Sequence, residues 1–317
     1  MTTFKGIRGT AIQVVSSDPS NPEEGQIWYN SSSGTLKGYK TVNTWASGGN
    51  LNTGRYSGAS AGTQTAALGF GGNNGSNLNN TESYNGSAWT AVNVMNTARY
   101  TLGGVGTQTA ALGFAGYTYP PAFFNNTESW NGTSWTAVDA MNTSRSGIGS
   151  AGTQTAALGF GGSGPVATGV TESWNGTSWT TLPASMNTAR GAMGSTGTQT
   201  AALGFGGTPY RNVTESWNGS AWTNLNNLNT PRQNLGSFGT QTSAAAFGAQ
   251  GATSTTELWN GTSWTANPTG LGTARAATKG AGTVSAGLAF FGQPSAAPTG
   301  TATEAWTGVG IKTITVS

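Results

Sequence analysis

From about residue 40 to residue 310 the apolar and polar positions follow a pattern that repeats six times. Each cycle opens, after an Arg, with a short run of Gly, Ala and Ser, as in Arg190–Gly197. A run of the type TQTAALGFGG follows, in which Ala66, Leu68 and Phe70 alternate with Ala67 and Gly69. That alternation has the period of two expected of a strand. Two more short segments complete the cycle, one of the type TESWN and one that begins SWT. Asn-Gly lies between them, as at Asn131-Gly132, Asn175-Gly176 and Asn260-Gly261. The dipeptide suits positive φ and marks a hairpin, here with a loop longer than two residues. No segment carries apolar residues at helical spacing, so four antiparallel strands per cycle are predicted.

The markers are regular. GTQT or a close relative begins at Gly62, Gly106, Gly152, Gly197, Gly239 and Gly282, at spacings of 44, 46, 45, 42 and 43 residues. TES, TEL or TEA begins at Thr81, Thr127, Thr171, Thr214, Thr256 and Thr303. Four strands in a constant period of this length predict a propeller blade. The small residues suit the strand nearest a central axis, where sheets crowd together. The pairs Trp130/Trp135, Trp174/Trp179, Trp217/Trp222 and Trp259/Trp264, with Tyr84/Trp89, sit five apart across the Asn-Gly loop. Each ring can bury about 150–250 Å², so these rings are expected to weld neighbouring sheets and not to stack sugars.

Gly-Gly after an apolar strand, then Glu and an aromatic, then Trp, then Met-Asn-Thr-x-Arg (Met95–Arg99, Met141–Arg145, Met186–Arg190) resembles the kelch repeat. The Gly-His and Trp-Asp signatures of WD40 repeats are absent. The resemblance implies an all-β, six-bladed kelch-like β-propeller over 41–310. Residues 1–40 are expected to be a separate N-terminal attachment segment, and 311–317 a C-terminal strand or tail. Kelch propellers host enzymes and binding modules alike, so the fold does not choose a function. Two closures of the ring are open. Trp45 and Asn50–Arg55 match a fourth strand and its exit loop, which would complete the last blade. Alternatively, Ile311–Val316 supplies the missing strand.

Composition narrows the chemistry. His and Cys are both absent, which removes imidazole acid–base catalysis, thiolate nucleophiles, disulfides and zinc knots. No apolar run approaches the length of a membrane-spanning helix, and MTTFKGIRGT lacks the apolar core of a signal peptide. The net charge of +3 comes from 13 cations against 10 anions, with no basic cluster of the kind that grips nucleic acid. Six Arg recur seven positions before the GTQT marker: Arg55, Arg99, Arg145, Arg190, Arg232 and Arg275. Six Glu recur in the second marker: Glu82, Glu128, Glu172, Glu215, Glu257 and Glu304. Such regularity predicts one structural Arg–Glu pair per blade or blade junction, since a ligand site breaks symmetry. Asp139 is then the one carboxylate left after residue 25. No nonequivalent pair remains for glycoside hydrolysis. Neither a catalytic residue nor a metal or other cofactor is expected. Gly71-Gly72, Gly161-Gly162 and Gly206-Gly207 end strands with no helix after them, so they are not phosphate loops. The sequons at Asn85, Asn131, Asn175, Asn218 and Asn260 fall in the hairpin turn and read as turn chemistry.

The loops between second and third strands share one rim, and they differ. Asn73–Asn80 is polar. Tyr117–Asn126 gathers Tyr117, Tyr119, Phe123 and Phe124 around two prolines, and Thr208–Val213 carries Tyr210 and the off-pattern Arg211. These six residues are the predicted binding site, as exposed loop aromatics mark contact surfaces; folding back against the blade is the structural alternative. At the N-terminus, strands Gln26–Asn30 and Thr35–Tyr39 are predicted to form a hairpin. DPSNPEEGQIWYNSSSGTLKGYK resembles the PxEGQIWYNxxxGxLK element of phage tail and fibre proteins. The Asn/Thr/Gly-rich kelch-like array resembles virion proteins of marine cyanobacterial phages. The resemblance implies a non-enzymatic virion structural protein of the tail or fibre region, on the particle surface. Its N-terminal segment would contact other virion proteins. Its propeller, as part of a homo-oligomer, would meet host-surface glycan or protein or a neighbouring subunit, with no membrane insertion. A capsid-decorating or neck protein, or a bacterial surface adhesin or filament subunit, is the alternative.

Overall fold

The computed structural model describes residues 12–20, 25–295 and 299–313, with backbone alone at 40–41 and 309–313. Every regular element among them is a strand. Five four-stranded antiparallel sheets follow one another along the chain, each with its strands in sequence order. The third is representative, with Gly149–Gly152, Ala157–Phe160, Thr171–Trp174 and Trp179–Thr181. A sixth sheet is assembled from both ends of the chain. Its order is Lys279–Gly282, Ala286–Phe290, Glu304–Thr313, Thr35–Ser47, Ile27–Asn30 and Gln13–Val15. The chain divides into two compact units, Thr44–Trp306 and Met1–Asn43 with Thr307–Ser317.

In the larger unit the six innermost strands neighbour one another in a closed cycle. The residue two positions before each of them donates its N–H to the equivalent carbonyl of the preceding sheet. Thr101 donates to Ser57, Gly147 to Thr101, Ala192 to Gly147, Asn234 to Ala192, Ala277 to Asn234, and Ser57 back to Ala277, all at 2.7–2.9 Å. All six are left-handed, with φ between 52° and 60°. For Ser57, Thr101, Ala192, Asn234 and Ala277 that conformation is costly, and a surrounding structure that over-determines it must supply the compensation.

Sheets arranged this way are covered on both faces. The strand expected from the alternation in TQTAALGF is therefore a sandwiched one, in which all four residues of each Ala67–Phe70 type segment are buried. TQT lies outside it, in a turn closed by Thr63 N–H to Ala66 C=O at 2.9 Å. Gly at the third position of the strand lets the preceding sheet approach. A Cβ at Gly204 would meet the Phe160 ring at 2.9 Å. The core is accordingly a set of clusters between sheets, in which Phe160, Met186 and Met193 pack with Trp217 and Trp222 of the next sheet.

The same two contacts fill every junction. The Phe that ends a second strand meets the fourth-strand Trp of the following sheet at 4.7–5.0 Å, from Phe70–Trp135 to Phe290–Trp89. That Trp donates its indole N–H to the Thr opening the third strand of the preceding sheet, as Trp179 does to Thr127 at 2.9 Å. Trp45 occupies this place in the sixth sheet. It donates to Thr256 at 3.1 Å and meets Phe247 at 5.0 Å and Trp306 at 5.2 Å. Of the two closures, the structure contains the one through Trp45. The strand runs unbroken from Thr35 to Ser47, so the second strand of the predicted hairpin and the closing strand are one element. The C-terminal strand extends the third strand from Glu304 as far as Thr313 and does not supply a fourth; residues 314–317 of the predicted tail lie outside the described residues.

Each Arg–Glu pair is a buried clamp on the incoming loop. Glu172 accepts the Asn142 N–H at 2.7 Å and the Arg145 guanidinium at 2.9 Å. Arg145 also donates to the Gly159, Gly161 and Val170 carbonyls. The other five pairs, Arg55–Glu82, Arg99–Glu128, Arg190–Glu215, Arg232–Glu257 and Arg275–Glu304, repeat the ion pair at near-zero exposure. Met-Asn-Thr-x-Arg thus ties the exit of one sheet to the third strand of the next. Turns opposite are closed by Asn: Asn175 Oδ1 accepts the Thr177 and Ser178 N–H groups at 2.9 Å, with Gly176 at φ 93°.

The smaller unit is centred on Asp18. Its carboxylate accepts from Lys37 Nζ at 2.8 Å, Asn30 Nδ2 at 2.7 Å and the buried Trp28 Nε1 at 3.0 Å. The Lys37 contact, then Asn30 and Trp28, holds its pKa down at about 2. Gln13–Val15 adds in parallel to Ile27–Asn30, a pairing the sequence reading did not contain.

Glu172→Gln should cost about 3–5 kcal/mol in urea unfolding, because it strands the buried Arg145 charge. Replacing both partners by Arg145→Met with Glu172→Leu should recover most of that loss. Trp45→Ala should cost toward the lower end of about 3–5 kcal/mol, in the manner of Trp179→Ala. A loss under about 1 kcal/mol would contradict closure through residue 45.

Candidate functional site

Two features depart from the symmetry of the larger unit, the rim that carries the second-to-third loops and the axial channel. On the rim, the Tyr117–Asn126 loop forms a small hairpin, Tyr117–Thr118 with Ala122–Phe123. Its aromatic residues divide between the two alternatives. Tyr117 is half-buried, edge-on to Tyr100 at 5.5 Å and against Phe123 at 5.1 Å. Phe123 and Phe124 are likewise half-buried, and Phe124 N–H is tied to Gly116 C=O at 2.9 Å. Tyr119 stands out at 73% exposure. Its backbone is nonetheless pinned by the loop of the neighbouring sheet, with Asn77 Nδ2 donating to Tyr119 C=O at 2.9 Å and Tyr119 N–H to Asn77 Oδ1 at 3.2 Å.

Tyr210 is also exposed, and its N–H donates to Gln233 Oε1 at 3.3 Å. Arg211 is half-buried beside the Arg190 guanidinium, whose pKa is lowered first by burial and last by this neighbour. Between these two loops lies that of the third sheet, with Val166 at 77% exposure. Three consecutive sheets therefore present Tyr119, Val166 and Tyr210 on one rim. Val166, an aliphatic residue in a loop of small residues, carries no aromatic signal in the sequence. The twelve regular Arg and Glu side chains are buried in the junctions and face no opening. Among the described residues no group of acidic side chains gathers to hold a metal ion.

The channel is lined by all six innermost strands and holds a cavity of about 150 Å³. Small side chains keep it open, with Ser60, Ser150, Ser195, Thr196 and Ser237 as its hydroxyls. Serines link adjacent strands: Ser150 N–H donates to Ser195 Oγ at 2.9 Å and Ser195 N–H to Ser237 Oγ at 3.1 Å. A narrower space of about 30 Å³ leads toward the rim past Ser57, Thr101, Gly147, Ala192, Asn234 and Ala277. Lys279 lines both spaces. Sequence reading missed it, although a signal was present. The first residues of the six innermost strands are Ala59, Gly103, Gly149, Gly194, Gly236 and Lys279, so a Lys stands where the other strands have Gly or Ala. The side chain is half-buried, and its partial desolvation in the channel pushes the ammonium down to about 8 from an ordinary 10.5.

No family model matches the chain, and no curated protein matches it. Solved structures do, and 417 chains share the similarity, so the fold by itself leaves the function open. One is the structure of YjhT, a kelch-type fold, with a TM-score of 0.67 and 12% identity over 84% of this chain and 99% of that one. The chain is thus an all-β propeller of kelch-like architecture.

Lys279 makes stability depend on pH in a defined direction. Below about pH 8 the ammonium is charged in both folded and unfolded chains, and the folded state bears the cost of its partial desolvation. Between about 8 and the ordinary 10.5 the unfolded chain binds more protons, so stability climbs with pH. Lys279→Met should abolish that climb and raise the urea midpoint at pH 7 in a buffer without phosphate. Equal pH dependence in the two proteins would show that the ammonium is not desolvated.

Proposed function

We propose that the chain is a non-enzymatic structural and adhesion module of a bacteriophage particle, in the tail or fibre region, whose rim binds a host-surface glycan or protein or a neighbouring subunit. The observation that carries the binding role is the exposure of Tyr119, Val166 and Tyr210 on three consecutive sheets, with the backbones of Tyr119 and Tyr210 anchored by Asn77 and Gln233. Apolar tips on an ordered backbone lose little entropy on contact, which is the economical way to build a binding surface. Tyr offers a large apolar face with a polar tip, suited to a sugar ring or a protein pocket.

Placement in a virion is supported by the likeness of the PxEGQIWYNxxxGxLK segment to phage tail and fibre proteins. Its Trp28, Asn30 and Lys37 form a hydrogen-bonded knot with Asp18 just before it. That segment would join other virion proteins, and several copies on one particle would convert weak rim contacts into avidity. A non-catalytic role fits the absence of His and Cys and the commitment of six Glu to buried ion pairs. No helix among the described residues is long and apolar enough to cross a membrane. No nucleic-acid role is proposed.

Tyr119→Ala with Tyr210→Ala should leave the urea midpoint within about 0.5 kcal/mol of wild type, as expected of surface positions. The same variant should weaken binding to host cells at least tenfold. Unchanged binding would remove the rim from the mechanism. Cryo-electron microscopy of the particle should place the ring at the tail or fibre with this rim outward; density on the shell, or no particle, would overturn the placement.

A further inference from the structure

We infer that the axial channel is a binding site for a small oxyanion, a phosphate or a carboxylate, held against the Lys279 ammonium. The inference goes beyond the rim and does not rest on it. Six of the eight Arg lie in the junctions, each with its own Glu. Asp18 is committed to Lys37, and Asp139 is exposed at the end of a fourth strand. No described carboxylate is therefore left for Lys279, which makes neither an ion pair nor a side-chain hydrogen bond with any described residue. Its side chain is half-buried on the channel wall, and a cation partly withdrawn from water is ordinarily matched by a counter-charge.

The surroundings fit an anion that arrives from solvent. The cavity of about 150 Å³ has the volume of roughly five waters at about 30 Å³ each. An oxyanion with part of its hydration shell fits there. No other charged side chain lines the channel, so nothing within it repels the anion. The serine relay also stops beside Lys279. Ser150 and Ser195 give their N–H groups to hydroxyls of the next strand, whereas the strand after Ser237 offers Gly280. The site breaks the sixfold pattern at one position, with Lys in place of Gly or Ala, while the clamps keep it everywhere.

The test is isothermal titration calorimetry of the full chain at pH 7 with sodium phosphate and, separately, sodium acetate, at constant ionic strength. Thermal unfolding in the same salts gives a second readout. The expected result is saturable one-to-one binding of at least one of the two anions, with a matching rise in Tm. Binding should weaken at least tenfold in Lys279→Gln and persist in Lys279→Arg. Phosphate alone, or acetate alone, would assign the source. No saturable heat for either anion in the wild type, or equal binding by Lys279→Gln, would overturn the site. Arg55→Met is not a suitable control because it disrupts a clamp; Asp139→Asn, on the surface, should leave anion binding unchanged.

Discussion

Six main-chain hydrogen bonds, running from Ser57 through Ala277 and back, hold the innermost strands in one cycle. Each requires a left-handed residue at the start of an inner strand, a conformation that most side chains resist. Closure makes the cost tolerable, because every sheet is then flanked by two others and both of its faces are buried. From that follow the Gly in the middle of the second strand, the Phe beyond it, and the Trp of the next sheet that covers the Phe. A single break in the cycle would expose two such faces at once. Trp45 prevents this by taking the fourth-strand Trp position of the sixth sheet, against Thr256 and Phe247.

Charge is used sparingly and mostly inside. The Arg–Glu clamps are dry, and replacing a buried ion pair with apolar groups is often neutral or stabilising, so their presence points to register more than to net stability. Five of the six Glu hold the Asn-Thr segment in front of the Arg, and Glu304 holds Gly272-Thr273 instead, which fixes how one sheet enters the next. The outer surface is left weakly charged, and contacts made there depend little on ionic strength. Chemical individuality is confined to the rim loops and to the mouth of the channel, where the repeat imposes no packing requirement.

Much of this architecture is legible in the residues. The period, the four segments per cycle, the hairpin turns at Asn-Gly and the regular Arg and Glu all follow from pattern alone, whereas the choice between Trp45 and Ile311–Val316 as the closing strand does not. Local pattern was less informative where two structural demands coincide. TQTAALGF alternates as a strand with one covered face would, yet its strand starts at Ala67 and is covered on both sides, because the second face belongs to a different cycle. Thr35–Tyr39 and Trp45 looked like two elements because nothing in the intervening residues marks a boundary or its absence. Tyr117, Phe123 and Phe124 resembled Tyr119 in sequence, and only packing against Tyr100 and the loop backbone separates them.

The sequence by itself determined the repeated unit, its strands and the pairing of its buried charges, since these depend on residues at constant spacing and on short-range turn chemistry. The tertiary structure decided which side chains face solvent at the rim, that Val166 joins Tyr119 and Tyr210 there, and that Lys279 enters a channel. Those properties arise only when six sheets are brought round one axis. Residues more than two hundred positions apart then become neighbours, as Trp45 and Thr256 do, and the solvent exposure of a side chain is set by the sheet beside it.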